Sequence, residues 1–182
     1  MRHFIKDFNG SKPKVNPSTH ISENAVLIGS VKLAAGVSIW PGCVLRADVD
    51  EIAIGDDTNI QDGVLIHTNY GMPCVVGRGT TIGHGAILHG CTIGDNCLIG
   101  MGAIVLDGAV IENDCIVGAG AVITEGAKVS GRSLVLGVPG RTVRAVTDDE
   151  VARNGESALD YKKLARLHTG KGRLFEKNKR AV

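Results

Sequence analysis

Aliphatic residues return every six positions along most of the chain. They run Leu33, Ile39, Leu45, then Ile54, Ile60, Ile66, then Val76, Ile82, Leu88, and without a break from Ile93 through Ile99, Val105, Ile111, Val117 and Ile123 to Val129. A helix repeats at 3.6 residues and a half-buried strand at two, so neither accounts for six. A period sustained this far predicts a stack of short units, each burying its apolar face against the next.

A second pattern rides on the first. Four residues after most of these aliphatics stands a small or β-branched residue: Val37, Cys43, Thr58, Val64, Thr80, Ala86, Cys97, Ala103, Ala109, Cys115, Ala121, Ala127. Glycine often follows the aliphatic directly, as in IGDD, VGRG, IGDN and VGAG. This hexapeptide repeat resembles the left-handed parallel β-helix families, in which three six-residue steps make one triangular coil. The resemblance implies an all-β fold: the aliphatics fill the prism, the small residues fit a tight interior position, and the glycine-rich text turns the corners.

Residues 15–135 are therefore expected to form the β-helix, after an N-terminal segment 1–14. The repeat fails at LVLGVPGRTVRAV, which opens a connecting segment, 136–156. Thr147 and Glu150 have the spacing of a capping box, but Gly155 is expected to interrupt a long helix. Leu159, Leu164 and Leu167 with Tyr161 predict a helix over about 157–168, within a C-terminal stretch 157–170 that packs back on the prism. The tail, 171–182, reads as a solvated end.

Composition agrees with a prism. Aromatics make up 3% of the residues against 25 glycines, which excludes a core built around large rings. The formal net charge is +1, from 20 basic and 19 acidic residues, and gives no footprint for nucleic acid or an anionic membrane. No apolar run reaches membrane-spanning length, and the opening MRHFIKDFNG lacks a signal-peptide pattern, so the expected compartment is the cytoplasm. The five cysteines form no CxxC pair and their odd number argues against a disulfide framework. Cys43, Cys97 and Cys115 fall in the small-residue slot and read as core fillers.

The same register places the polar residues. Let Ile54, Ile60 and Ile66 mark the first, second and third walls of one coil. His67 and His89 then share one slot on the third wall in neighbouring coils, with Arg46 one coil before them. Strands stacked about 4.8 Å apart would bring the two imidazoles within reach of one ion. His84 falls on the second wall, near another corner, beyond Asp62 in the preceding coil. A threefold arrangement of chains would bring the His84 of a neighbour to complete the site, and would set Arg46 against Asp62 across the interface. Three imidazoles leave a fourth position open, as a catalytic zinc requires. His3, His20 and His168 read as ordinary surface histidines, and Trp40 and Pro41 as packing and corner residues. The longer steps RADVDE and HTNYGMPC follow Leu45 and Ile66 and are expected to place loops near the site.

The stretches IWPGCVLRADVDEIAIG, TNIQDGVLIH, TIGHGAILHGCTIGDNCLIGMGAIVLDGA and GVPGRTVR resemble the gamma-class carbonic anhydrases and their relatives, over roughly residues 12–145. Arg46, Asp48, Asn59, Gln61, Asp62, His67, His84 and His89 match the family pattern. The resemblance implies a homotrimer with His67 and His89 of one chain and His84 of the next binding zinc, with iron or cobalt as other metals three imidazoles suit. It implies that Arg46 and Asp62 pair between chains, that Gln61, supported by Asn59, orients the hydroxide or the substrate, and that Tyr161 lies near the site. The implied reaction is attack of zinc-bound hydroxide on carbon dioxide to give bicarbonate. The segment TNYGMP has neither the acidic loop nor the proton-shuttle glutamate of one branch, which leaves buffer or Tyr70 to carry the proton. Two other functions fit a hexapeptide prism: a coenzyme A-dependent acyltransferase or thioesterase, and a non-catalytic metal-binding or scaffold protein of the kind labelled siderophore-binding.

Overall fold

In a computed structural model of the protein, which describes residues 4–170, the chain winds into a left-handed parallel β-helix of about seven turns and ends in one α-helix. The six-residue period is the origin of this shape. Most steps supply a two- or three-residue strand, and the strands of the coils pair in parallel with those one coil away, so the backbone hydrogen bonds run between coils.

The aliphatic positions stack into three columns. Val15, Leu33, Ile54, Val76, Ile93, Ile111 and Val129 are successive register partners on the first wall. Ile21, Ile39, Ile60, Ile82, Ile99, Val117 and Val135 form the second. Leu27, Leu45, Ile66, Leu88, Val105 and Ile123 form the third. Nearly all of these are buried, and of the small residues between them Cys43, Ala86, Cys97, Ala103 and Cys115 are 0% exposed. All five cysteines are free and buried, as core fillers should be. Thr58 and Thr80 occupy the same tight slot because each hydroxyl donates to a carbonyl of the next coil, Gly77 O at 2.6 Å and Gly94 O at 2.9 Å.

The first coil begins earlier than the periodicity predicts. Phe4–Lys6 pairs with 26–28 and extends the third wall into the N-terminal segment. The longer step after Leu45 is not a loop either. Val44–Ile54 is one continuous strand that leaves the third wall beside 65–67 and joins the first wall beside 74–76. Val26–Leu33 runs alongside it, pairing as far as Ala47 and again from Ile52, and the register shifts over the extra residues, where the Asp50 N–H donates to Thr68 Oγ1 at 3.0 Å. Only the step after Ile66 makes a turn, closed by reciprocal backbone bonds between Asn69 and Met72 at 3.2 and 2.9 Å.

The helix spans Asp148–His168 and so starts nine residues before the apolar spacing predicts. Thr147 and Glu150 form the expected capping box, with Asp148, Asp149 and Glu150 in the first turn, where negative charge favours the helix dipole. Gly155 stays helical within it. The helix packs on the second wall through Asn154, Ala158 and Ala165, while Leu159 and Leu164 are 52% and 37% exposed. A flat wall admits a helix closely only where its side chains are small, which is why the leucines do not mark the buried face. Asn154 Nδ2 donates to Asn96 O at 3.1 Å, and Lys162 pairs with Asp57 at 2.6 Å. No helix of the described residues is long and apolar enough to cross a membrane. The tail 171–182 lies outside the described residues.

Candidate metal centre

Arg46, His67 and His89 are in register on the third wall, one per coil, pointing outward beside the inward Leu45, Ile66 and Leu88. The ladder sets their spacing. His67 Nδ1 faces His89 Nε2 at 3.0 Å, with the rings tilted at 54°. The far nitrogen of each ring is held by a carboxylate: His67 Nε2 by Asp48 Oδ1 at 2.9 Å, and His89 Nδ1 by Asp107 Oδ1 at 2.5 Å.

An ionised carboxylate only accepts hydrogen bonds, so each anchored nitrogen carries the hydrogen and each facing nitrogen presents a lone pair. Two lone pairs aimed at each other from 3.0 Å repel unless a cation lies between them. Two imidazole nitrogens on one tetrahedral zinc at 2.0–2.1 Å would stand about 3.3 Å apart. The donor chemistry and the separation thus fit a metal ion.

Both carboxyls are held in the ionised form. Burial alone would raise Asp48, but hydrogen bonds from Arg46, whose Nη1 donates at 2.7 Å, and then from His67 outweigh it and hold the group below its ordinary value. Burial also opposes the shift at Asp107, where Asn69 and then His89 lower it; Asn69 Nδ2 donates to Asp107 Oδ2 at 2.9 Å.

His84 stands at the corner after the second wall, before Gly85, whose φ of +67° turns the chain there at little cost. Its Nδ1 pairs with Asp62 at 3.0 Å, and its Nε2 lies 3.5 Å from the Tyr161 hydroxyl. Burial, and then the charge of Asp62, raise the Tyr161 hydroxyl above its ordinary value. Among the described residues, no three His, Cys, Asp or Glu side chains of this one chain converge on a metal position. His84 stays apart from the His67–His89 pair, as the register places it. Within the single chain Arg46 pairs with Asp48, and Asp62 with His84.

Beside His84 a polar relay runs along the second wall. Gln61 is 5% exposed; its Nε2 donates to Asn59 Oδ1 at 3.1 Å, and its Oε1 accepts from the His84 backbone N–H at 3.3 Å. Asn59 Nδ2 donates in turn to Thr81 Oγ1 at 2.8 Å. Both amides are thereby fixed in orientation.

Comparison with known proteins bears on this arrangement. Residues 90–125 match the family model described as bacterial transferase hexapeptide (six repeats). The chain is 51% identical over 151 residues to a probable carbonic anhydrase of Methanocaldococcus jannaschii, covering 83% of this chain and 95% of the relative. It is 38% identical over 162 residues to the mitochondrial gamma carbonic anhydrase 2 of Arabidopsis thaliana, covering 86% of this chain but only 58% of that longer protein. The chain belongs to the gamma carbonic anhydrase family. Its fold is also that of a putative acetyltransferase from Bacillus cereus, with 31% identity, a TM-score of 0.92, and coverage of 93% of this chain and 99% of that one.

For a gamma carbonic anhydrase family member, the sequence reading omitted Asp107 and Asn69. Asp107 lies eighteen residues, one coil, beyond His89. That spacing, with Gly90 leaving room where a Cβ would collide with the Asp107 carboxylate, was the available signal. His20 and His168 are also more than isolated surface side chains. They flank Trp40 at 5.5 and 5.1 Å between ring centres, and burial, then His168, lowers the His20 pKa from its ordinary value. Trp40 in turn meets Tyr161 edge-on at 5.4 Å, so it is a packing residue that supports the helix.

Proposed function

We propose that the protein is a metal-dependent gamma-type carbonic anhydrase that interconverts carbon dioxide and bicarbonate at a site shared by adjacent chains of a homotrimer. The observation that carries this reading is the facing pair of nitrogens, His67 Nδ1 and His89 Nε2, each backed by a carboxylate. His84 of a neighbouring chain supplies the third ligand. Neutral imidazoles suit zinc, and iron or cobalt can take the same set. A metal held by these residues would supply Lewis acidity and lower the pKa of a bound water toward neutrality.

This chain's own residues do the rest. Gln61, locked by Asn59 and Thr81, presents an oriented amide beside the His84 corner and positions the substrate or the nucleophile. Arg46, which holds Asp48 through Nη1, reaches with its other donors to Asp62 of the adjacent chain, and Tyr161 closes the side nearest His84. Protons leave through solvent: Tyr70 is 83% exposed on the turn after His67, and buffer is the other acceptor.

The test is metal content per chain together with stopped-flow carbon dioxide hydration, on protein prepared without air and beside a His89→Ala control. One metal per chain with hydration lost in the control supports the reading. Bound metal without hydration at any pH moves the function to another substrate or to a scaffold role. The likeness to the putative acetyltransferase of Bacillus cereus supports a second reading, a coenzyme A-dependent acyltransferase. Thermal stabilisation of the protein by coenzyme A would favour it.

A further inference from the structure

We propose that Asp107, seated by Asn69, is the positioning residue that makes His89 bind metal through Nε2, and that Asp48 does the same for His67 through Nδ1. This rests on the metal-binding reading above and assigns the two histidines opposite ring nitrogens.

Three features of the chain converge on Asp107. Its Oδ1 takes the His89 Nδ1 hydrogen at 2.5 Å, and its Oδ2 accepts from Asn69 Nδ2 at 2.9 Å, so both oxygens are engaged. Asn69 is itself fixed, because the turn after His67 is closed by its reciprocal backbone bonds with Met72. Gly90 provides the space: a Cβ there would meet the Asp107 carboxylate. The turn is thus a brace that reaches across two coils to the next ligand. On the other side, Asp48 Oδ1 holds His67 Nε2 at 2.9 Å while Oδ2 takes the Arg46 guanidinium at 2.7 Å. Each ring is pinned at one nitrogen and aimed with the other, and a carboxylate behind a ligating imidazole fixes both its tautomer and its orientation.

The experiment reads two quantities on the full-length protein. Nitrogen-15 NMR of histidine-labelled, metal-free protein reports the ring tautomers, and competition with a chromophoric chelator reports zinc affinity. In the wild type, His89 should carry its hydrogen on Nδ1 and His67 on Nε2. Asp107→Ala should leave His89 without its fixed tautomer and weaken zinc binding about 10- to 100-fold, with Asp107→Asn, which keeps an acceptor oxygen, in between. Asn69→Ala leaves every side chain of the site in place and should cause a smaller fall in the same direction. It keeps the inference testable should Asp107→Ala fail to fold. Zinc affinity and His89 tautomer unchanged in these variants would overturn the inference and leave the proposed function standing. Wild-type protein that takes up no zinc would overturn both.

Discussion

His67 and His89 are register partners on adjacent coils, and their facing ring nitrogens lie 3.0 Å apart. No loop sets that distance. It follows from the rise of a parallel ladder, about 4.8 Å between strands, which the buried column Leu45, Ile66 and Leu88 holds fixed. His84, on another wall, does not approach them within the chain, and the proposed site therefore takes its third histidine from a neighbouring chain.

That division predicts complementation. His67→Ala and His84→Ala proteins should each lack metal as homotrimers, yet regain it when their subunits are exchanged. With equal amounts and random assembly, about one interface in four joins an intact third wall to an intact His84 corner. Metal content after gel filtration checks this, and no recovery under confirmed exchange would count against the shared site.

The core should be intolerant in both directions. Ile60 is fully buried in the second column and Ala103 in the tight slot, both 0% exposed. Ile60→Ala should cost about 2–5 kcal/mol through the cavity it leaves. Ala103→Leu should cost at least about 1–3 kcal/mol, because rigid coils cannot spread to admit a larger side chain. Urea unfolding midpoints at constant slope would measure both.

Gly155 is the opposite case. It sits in the interior of the helix, and the nearest atom a Cβ would meet is Asn96 Oδ1 at 3.5 Å, an ordinary contact. Gly155→Ala should therefore stabilise the protein by about 1 kcal/mol. A lower melting temperature in that variant would mean that the close approach of helix to wall needs the glycine.

A pH effect should appear at the helix start. Glu150 is held at about 2, first by hydrogen bonds from Arg144 and then by the Thr147 backbone amide. A depressed folded-state pKa means that its contribution is present above the ordinary carboxylate range, about 4.3, and is lost as pH falls toward 2. Glu150→Gln should thus melt below wild type at pH 7, with the difference shrinking below pH 4 and closing near pH 2. A gap independent of pH would assign the effect to shape and not to charge.

The coils were legible because each hexapeptide carries its own instructions: an inward aliphatic, a small residue four positions on, a corner. Repetition made the register exact enough to stack His67 on His89 and to separate His84. The helix boundary was less legible. Leu159 and Leu164 drew the eye, but contact with a flat sheet is made by Asn154, Ala158 and Ala165, which leave no hydrophobic periodicity. Asp107 and Asn69 escaped notice for a related reason. Their meeting depends on where one turn places an amide relative to a residue thirty-eight positions away, and no local pattern records that.

The last strand, 141–145, runs antiparallel to 133–136, against the direction of every coil before it. A parallel solenoid ends in a row of open backbone groups that could template another copy and grow into a fibre. Here the reversed strand occupies that edge on the second wall, and Arg144 within it is tied to Glu150 at the start of the helix. On that wall an incoming coil would find no strand running in the matching direction.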